Sequence, residues 1–336
     1  MFRLLRFAVL TFLASSLLMI PGPMTAAAQE ATPEAECPVT TPEENEELAT
    51  MYWEEVWWGD QGKIAEIVAP DEVHHWGIGG DTTGFEEFTE RWNLFFTAFP
   101  DLEFTVDQVA AEGDLAATHW TATGTQRGEW QGIAPTNREV TWQGSNVFRF
   151  ACGQIVESWG EADHLGLLSQ LGATDIPALL ATPVAPAAQA ATSAPAATPC
   201  ADDSAEANVA TARRWTEEVY NGKDVTVLDE ILDPSAIHHG AAFPDVAGVE
   251  AIKEALAGTF ASFPDITLIV DDTIADGDLV IVRWSGTGTN DGPWLGMEPT
   301  GKTANFTGIN IYRFSCGKIV ESWSEMDALS VLSDLT

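Results

Sequence analysis

The chain has 336 residues, and its 51 acidic side chains against 15 basic ones give a formal net charge of −36. A surface this acidic repels phosphate backbones and anionic bilayers, which excludes nucleic acid and charged membrane surfaces as partners. Solubility outside the cell is the plain use of such charge, and acidity by itself names no ligand.

The first 28 residues read as an export signal: Arg3 and Arg6, the apolar run 7–20, and small Ala26, Ala27 and Ala28 before Gln29. That run, ended by Pro21 and Pro23, is too short to span a bilayer. The mature chain is therefore expected to be secreted, cleaved near Ala28, with no membrane span. A flexible segment follows over 29–40. Thr41, Pro42 and Glu44 then form a helix start at capping-box spacing, and Leu48, Met51, Tyr52 and Val56 fall on one face. His74 and His75 lie where the chain leaves this helical region for a strand; neighbouring strand residues face opposite ways, so one of the two enters an interior. A second helix is predicted over 84–99, ending at Phe99-Pro100-Asp101. The pattern then changes to period two over 102–111, 115–125, 140–150 and 155–163, divided by turns at Gly113-Asp114 and Ala151-Cys152-Gly153. Helices followed by a meander of long strands predict an α+β domain, with N-terminal helices packed on a curved antiparallel sheet.

An Ala/Pro/Thr-rich stretch over 173–200 reads as a linker, and beyond it the plan repeats. Residues 70–171 recur without a gap at 234–335, with 43 of 102 positions identical. A period this long is a duplicated domain rather than a solenoid, giving domains over 41–172 and 201–336. The second opens on Asp203 and Glu206 as its cap. The four cysteines follow the repeat. They admit three pairings, of which the duplication favours Cys37–Cys152 and Cys200–Cys316, one staple per domain. No Cys-x-x-Cys and no third ligand at zinc spacing accompanies the histidines, so no metal is expected.

Several runs carry a family likeness: Ala111-Glu112-Gly113-Asp114, Trp120-Thr121-Ala122-Thr123-Gly124-Thr125, Gly128-Glu129-Trp130-Gln131-Gly132, Gly144-Ser145-Asn146-Val147-Phe148 and Ile155-Val156-Glu157-Ser158-Trp159, with their counterparts between Ala275 and Trp323. The chain resembles the SnoaL-like ester (polyketide) cyclases of the nuclear transport factor 2-like superfamily, in two tandem copies. The resemblance implies cone-shaped, cystatin-like α+β domains that enclose a pocket. It also implies sheet-to-sheet pairing, as an intramolecular pseudo-dimer or a homodimer. Family cyclases close rings by an intramolecular aldol step, using a carboxylate near the Glu-x-Trp segment and no cofactor. Relatives also include isomerases, dehydratases and binding domains without activity.

Strand alternation places Trp142 and Asn146 on the interior face of 140–150, matched by Phe306 and Asn310, and Trp120 and Trp284 on that of the preceding strand. Trp130 and Trp294 complete the expected ligand contacts. His119 falls on the opposite face, opposite Arg283 in the second copy, which suits an interface or solvated surface. Glu157, Glu161 and Asp163 share the face of Trp159, as Glu321, Glu325 and Asp327 share that of Trp323. The position after the Trp, where many relatives carry Asp, is Gly160 or Ser324; Glu161 and Asp163 take its place only if a bulge turns them inward. The expected machinery is thus Glu161 or Asp163 moving the proton, His75 assisting and Asn146 orienting a carbonyl, with Glu325, Asp327, His239 and Asn310 as equivalents. The substrate class is a small apolar or carbonyl-bearing molecule. The alternatives are a non-catalytic binding or scavenging protein, and a structural domain pair with closed pockets.

Overall fold

Thr41 caps the first helix as its neighbours dictate. Its hydroxyl accepts from the Glu44 amide at 3.3 Å, and the Glu44 carboxylate accepts from the Thr41 amide at 2.9 Å. Helix α1 (Pro42–Met51) then widens into a π-helical turn, Tyr52–Val56. This computed structural model describes residues 37–57, 61–76, 80–173, 204–240 and 245–336; the expected signal, linker and Cys200 lie outside them. In the first repeat the chain continues through α2 (Ile64–Ile67), β1 (Val68–Trp76), β2 (Thr82–Thr83) and α3 (Gly84–Ala98). The meander β3 (Glu103–Glu112), β4 (Leu115–Thr125), β5 (Glu139–Ala151) and β6 (Gln154–Ala162) follows, then α4 (His164–Leu171). The second repeat runs α5 (Ala205–Arg214), α6 (Leu228–Ile231), β7 (Leu232–Gly240), β8 (Val246–Ala247), α7 (Val249–Ser262), β9 (Thr267–Asp276), β10 (Leu279–Thr289), β11 (Thr303–Ser315), β12 (Lys318–Met326) and α8 (Ala328–Leu335). Its cap is Ser204, whose hydroxyl accepts from the Ala207 amide, one residue beyond the expected Asp203.

Each repeat builds a six-stranded sheet, in the orders β2-β1-β6-β5-β4-β3 and β8-β7-β12-β11-β10-β9. The sheets are mixed, which corrects the antiparallel expectation: β1 runs parallel to β6, and β7 to β12. No hairpin joins either pair, so nothing local in the sequence announces their direction. The pairing sets His74 beside Ser158 and His75 beside Trp159.

The two faces of each sheet do different work. The inner face packs on the helices, burying Tyr52, Trp53, Trp57, Phe88, Phe95, Trp120, Trp142 and Phe148 in the first core. On the outer face Ala110, Ala117 and Val147 of one repeat meet Ile274, Ile281, Ile309, Ile311 and Trp323 of the other. The copies therefore form a pseudo-dimer within one unit, residues 37–336. Polar contacts add register: Arg149 lies 3.7 Å from Asp272, and the Arg283 guanidinium sits 4.2 Å above the Trp159 ring. His119 is buried in this seam, its Nδ1 3.1 Å from Ser145 Oγ and its ring 6.0 Å from that of Trp323.

Cys37 and Cys152 are joined across 115 residues of sequence, a loop long enough for a crosslink to contribute about 4–5 kcal/mol in the chain-entropy model. Cys316 is also disulfide-bonded. Among the described residues no helix is long and apolar enough to cross a membrane.

Candidate active site of the first repeat

Alternation along β4 and β5, with the π turn and α3 above them, brings seven aromatic rings around one cavity: Trp53, Trp57, Trp76, Phe95, Phe104, Trp120 and Trp142. Asn146, Gly160, Glu161, Ala162 and His164 complete its wall, and its volume is about 30 Å³, room for one or two waters. Asn146 is buried, and its Oδ1 accepts from Trp120 Nε1 at 2.9 Å. Its amide nitrogen has no partner among the described residues and stands 2.9 Å from the point a Gly160 Cβ would occupy. His74 Nε2 stands 3.2 Å from that same point. A side chain at 160 would crowd both groups, so the glycine lets the amide donor and the imidazole stand close together.

His74 is fully buried, stacked on Trp76 with ring centroids 3.8 Å apart, and its Nε2 has no partner among the described residues. Its Nδ1 lies 2.8 Å from Ser158 Oγ, which donates to Glu72 Oε1 at 2.5 Å; the direct His74–Glu72 separation is 3.8 Å. Residues 72, 74 and 76 alternate onto the inner face of β1, and the parallel pairing puts Ser158 beside them. Burial pushes the Glu72 carboxyl up to about 7 against the lowering effect of the Ser158 hydrogen bond. Burial, with Arg91 and His75 adding positive charge, holds His74 well below its usual range, so the ring is neutral. His164, on the first turn of α4, is lowered to about 4, mainly by burial.

The second repeat fills the corresponding place. Asn310 Oδ1 accepts from Trp284 Nε1 at 3.1 Å and from Ser324 Oγ at 2.8 Å, and its Nδ2 donates to the Tyr312 hydroxyl at 2.7 Å. His238 keeps its serine, Ser322, at 2.9 Å, but Ala236 occupies the position of Glu72. This amide is consumed by an internal network, whereas that of Asn146 is half open.

The family model described as SnoaL-like polyketide cyclase matches twice, over residues 47–171 and 210–335. The chain belongs to the SnoaL-like polyketide cyclase family. Among solved structures, one described as a SnoaL-like polyketide cyclase from Jannaschia sp. CCS1 is 25% identical, covering 41% of this chain and 96% of its own, with a TM-score of 0.38. IdmH from Streptomyces antibioticus, described as a polyketide cyclase, is 31% identical over 38% of this chain and 97% of its own, with a TM-score of 0.35. AclR from Streptomyces galilaeus, described as a hydroxylase, is 30% identical over 39% and 87%, with a TM-score of 0.35. A comparison with curated proteins found no match.

In this tandem SnoaL-like protein the other expected residues lie elsewhere. His75 faces outward, stacked 5.5 Å from Trp159 and bonded to Asp81 and Glu157; His239 stacks on Trp323 and bonds to Glu321 and Asp245. The register reverses the expectation: the inward member of each pair is the first, His74 or His238. Glu161 borders the cavity, but its side-chain partners, Thr307 and the Asp327 backbone, belong to the second repeat. The one bulge between β5 and β6 falls at Arg149/Phe150, too early to turn Glu161 inward. Glu325 is likewise buried at the seam, beside Asp163 and Glu161. Asp163 and Asp327 cap α4 and α8, accepting from the Gly166 and Ser330 amides. Trp130 and Trp294 pack against Phe99 and Phe263 respectively, while Phe306 lies 5.0 Å from Phe263.

Sequence reasoning missed Glu72 and His164. The signal for Glu72 was present, since Glu72 and His74 are two apart on a strand. It was masked because the second copy carries Ala236 and Ala328 at those positions, and comparing the copies favours what both retain.

Proposed function

We propose that the first repeat holds a cofactor-independent acid/base site that enolises a small apolar carbonyl compound, as a cyclase or isomerase would, and that the second repeat is its structural partner. One observation carries this reading: beside Gly160, a buried, neutral imidazole Nε2 stands near the Asn146 amide N–H, and neither has a partner among the described residues. Removal of a proton next to a carbonyl needs a base within reach and a donor for the oxygen that gains charge. His74 Nε2 supplies the first and Asn146 Nδ2 the second. The aromatic lining suits an apolar body, and the cavity, about 30 Å³ here, must widen to admit one. The position where many relatives carry Asp is empty here, so the imidazole takes the role of that carboxylate. We also place the mature protein outside the cell, on the basic start, apolar run and small-residue site of the first 28 residues.

The test is exchange of the α-proton of small linear and cyclic β-keto esters in deuterated water, followed by NMR with the full chain. His74→Asn is expected to lower protein-dependent exchange by about 10²–10⁴-fold, while His238→Asn leaves it unchanged. Exchange that survives His74→Asn overturns the assignment. Ester binding by native mass spectrometry without exchange makes the first repeat a carrier instead.

A further inference from the structure

The Glu72–Ser158–His74 chain has no full counterpart in the second repeat, and its geometry permits only two hydrogen-bond patterns. The Ser158 hydroxyl has a single proton and sits between the carboxyl at 2.5 Å and the imidazole Nδ1 at 2.8 Å. If Ser158 donates to an ionised Glu72, its oxygen accepts from Nδ1–H, and Nε2 presents a lone pair on the side of Gly160 and Asn146. If Glu72 carries a proton, it donates to Ser158, Ser158 donates to Nδ1, and Nε2 carries the hydrogen. The 3.8 Å gap between His74 and Glu72 rules out a direct bond, so the serine is the only link.

We infer that Glu72, acting through the Ser158 hydroxyl, decides which ring nitrogen of His74 bears the proton, so that one imidazole serves first as base and then as acid. This rests on His74 being the base of the first repeat. In the forward step Nε2 takes the substrate α-proton and the C–H electron pair becomes the enolate. Nδ1 gives its proton to Ser158, and the serine proton passes to Glu72. The ring stays neutral, Glu72 becomes neutral, and the enolate carries the one negative charge that Glu72 gave up. Reversal returns a proton from Nε2 to carbon or oxygen and restores the Glu72 carboxylate. No imidazolium forms, which suits a ring whose burial disfavours charge. Because the site keeps one negative charge throughout, its substrate is an uncharged carbonyl compound; an anionic one would bring a second charge beside Glu72.

The charged and titratable neighbours of this chain come from several elements. They are Arg91 on α3, His75 on β1, Glu157 on β6 and Tyr52 on the first π turn, with His164 on α4 lining the cavity. Burial raises the Glu72 carboxyl to about 7.

The relay can be read without any substrate. Full-length protein labelled with ¹⁵N-histidine, with His74 assigned from the His74→Asn spectrum, is titrated between about pH 5 and about pH 9. His74 is expected to exchange one neutral tautomer for the other, Nε2–H at the acid end and Nδ1–H at the alkaline end. Glu72→Gln is expected to abolish that swap. Ser158→Ala breaks the link without touching the carboxyl and is expected to abolish it too. His238, which faces Ala236, is expected to hold one tautomer throughout. A single His74 tautomer across the range, a doubly protonated ring, or a swap that survives Glu72→Gln overturns the inference. Since these signals need no turnover, they are independent of the β-keto ester assay: a swap without exchange would sink the enolisation reading alone, and exchange without a swap the relay alone.

Discussion

The two repeats share a fold, a topology and an inward asparagine, and differ in what surrounds it. In the first, Asn146 lines an aromatic cavity, and Gly160 lets its amide stand close to His74 Nε2, with Glu72 wired to the ring through Ser158. In the second, Ser324 and Tyr312 take up both ends of the Asn310 amide, and Ala236 removes the carboxyl. Trp76, Trp92 and Trp142 have also become Gly240, Leu256 and Phe306. The same buried amide can thus be a ligand contact or a structural tie, and the neighbours that satisfy it decide which. Duplication lets one copy carry the costs of a site, unpaired polar atoms and an unfilled gap, while the other supplies packing through the seam.

The largest difference in stability is expected at the amides. Asn310→Ala strands the Trp284 indole, the Tyr312 hydroxyl and the Ser324 hydroxyl, whereas Asn146→Ala strands only the Trp120 indole. The Tyr312 hydroxyl is the extra fully buried group, so at about 1–3 kcal/mol for a buried group left unpaired the second-repeat variant should lose more in urea unfolding by about that amount. Equal losses would mean that the networks are equivalent and the comparison fails.

A smaller effect is expected at the seam. Burial raises the Glu161 carboxyl to about 8 and Glu325 well above the usual range; neighbouring acids add to both, and Thr307 and Arg283 partly offset the shift of Glu161. The folded state therefore holds protons that the unfolded chain has released. Stability falls as pH rises from the ordinary carboxyl range, about 4.5, toward about 8. Glu161→Gln and Glu325→Gln should each flatten that decline and raise stability at about pH 8. Melting curves across the range measure it, and a decline unchanged in both variants would show that these groups do not titrate on folding.

The smallest change in stability is expected from Gly160→Ser, which copies Ser324 into the first repeat. The new side chain meets Asn146 and His74 at 2.9 and 3.2 Å, so both must yield slightly, at about 1 kcal/mol or less. The protein-dependent exchange of a β-keto ester should nevertheless fall, because the new side chain crowds both donor and base. Undiminished exchange would place the reacting atoms elsewhere.

What the sequence determined is what local geometry controls. The capping box at Thr41, the strands of the meander and the inward faces carrying Asn146 and Asn310 all follow from near neighbours and period-two alternation. The outward face of His119 was legible for the same reason. The internal repeat showed the duplication and paired Cys37 with Cys152. What tertiary structure alone decided depends on pairing between segments distant in sequence. The parallel docking of β1 on β6 turned His74 rather than His75 inward and set Ser158 beside it, where it bonds both His74 and Glu72. Packing of one sheet on the other buried Glu325 in the seam and gave Glu161, at the cavity's border, its partners from the second repeat. Alternation fixes relative orientation along one strand, but the absolute choice of face belongs to the partner strand, and no hairpin records that partner in the chain.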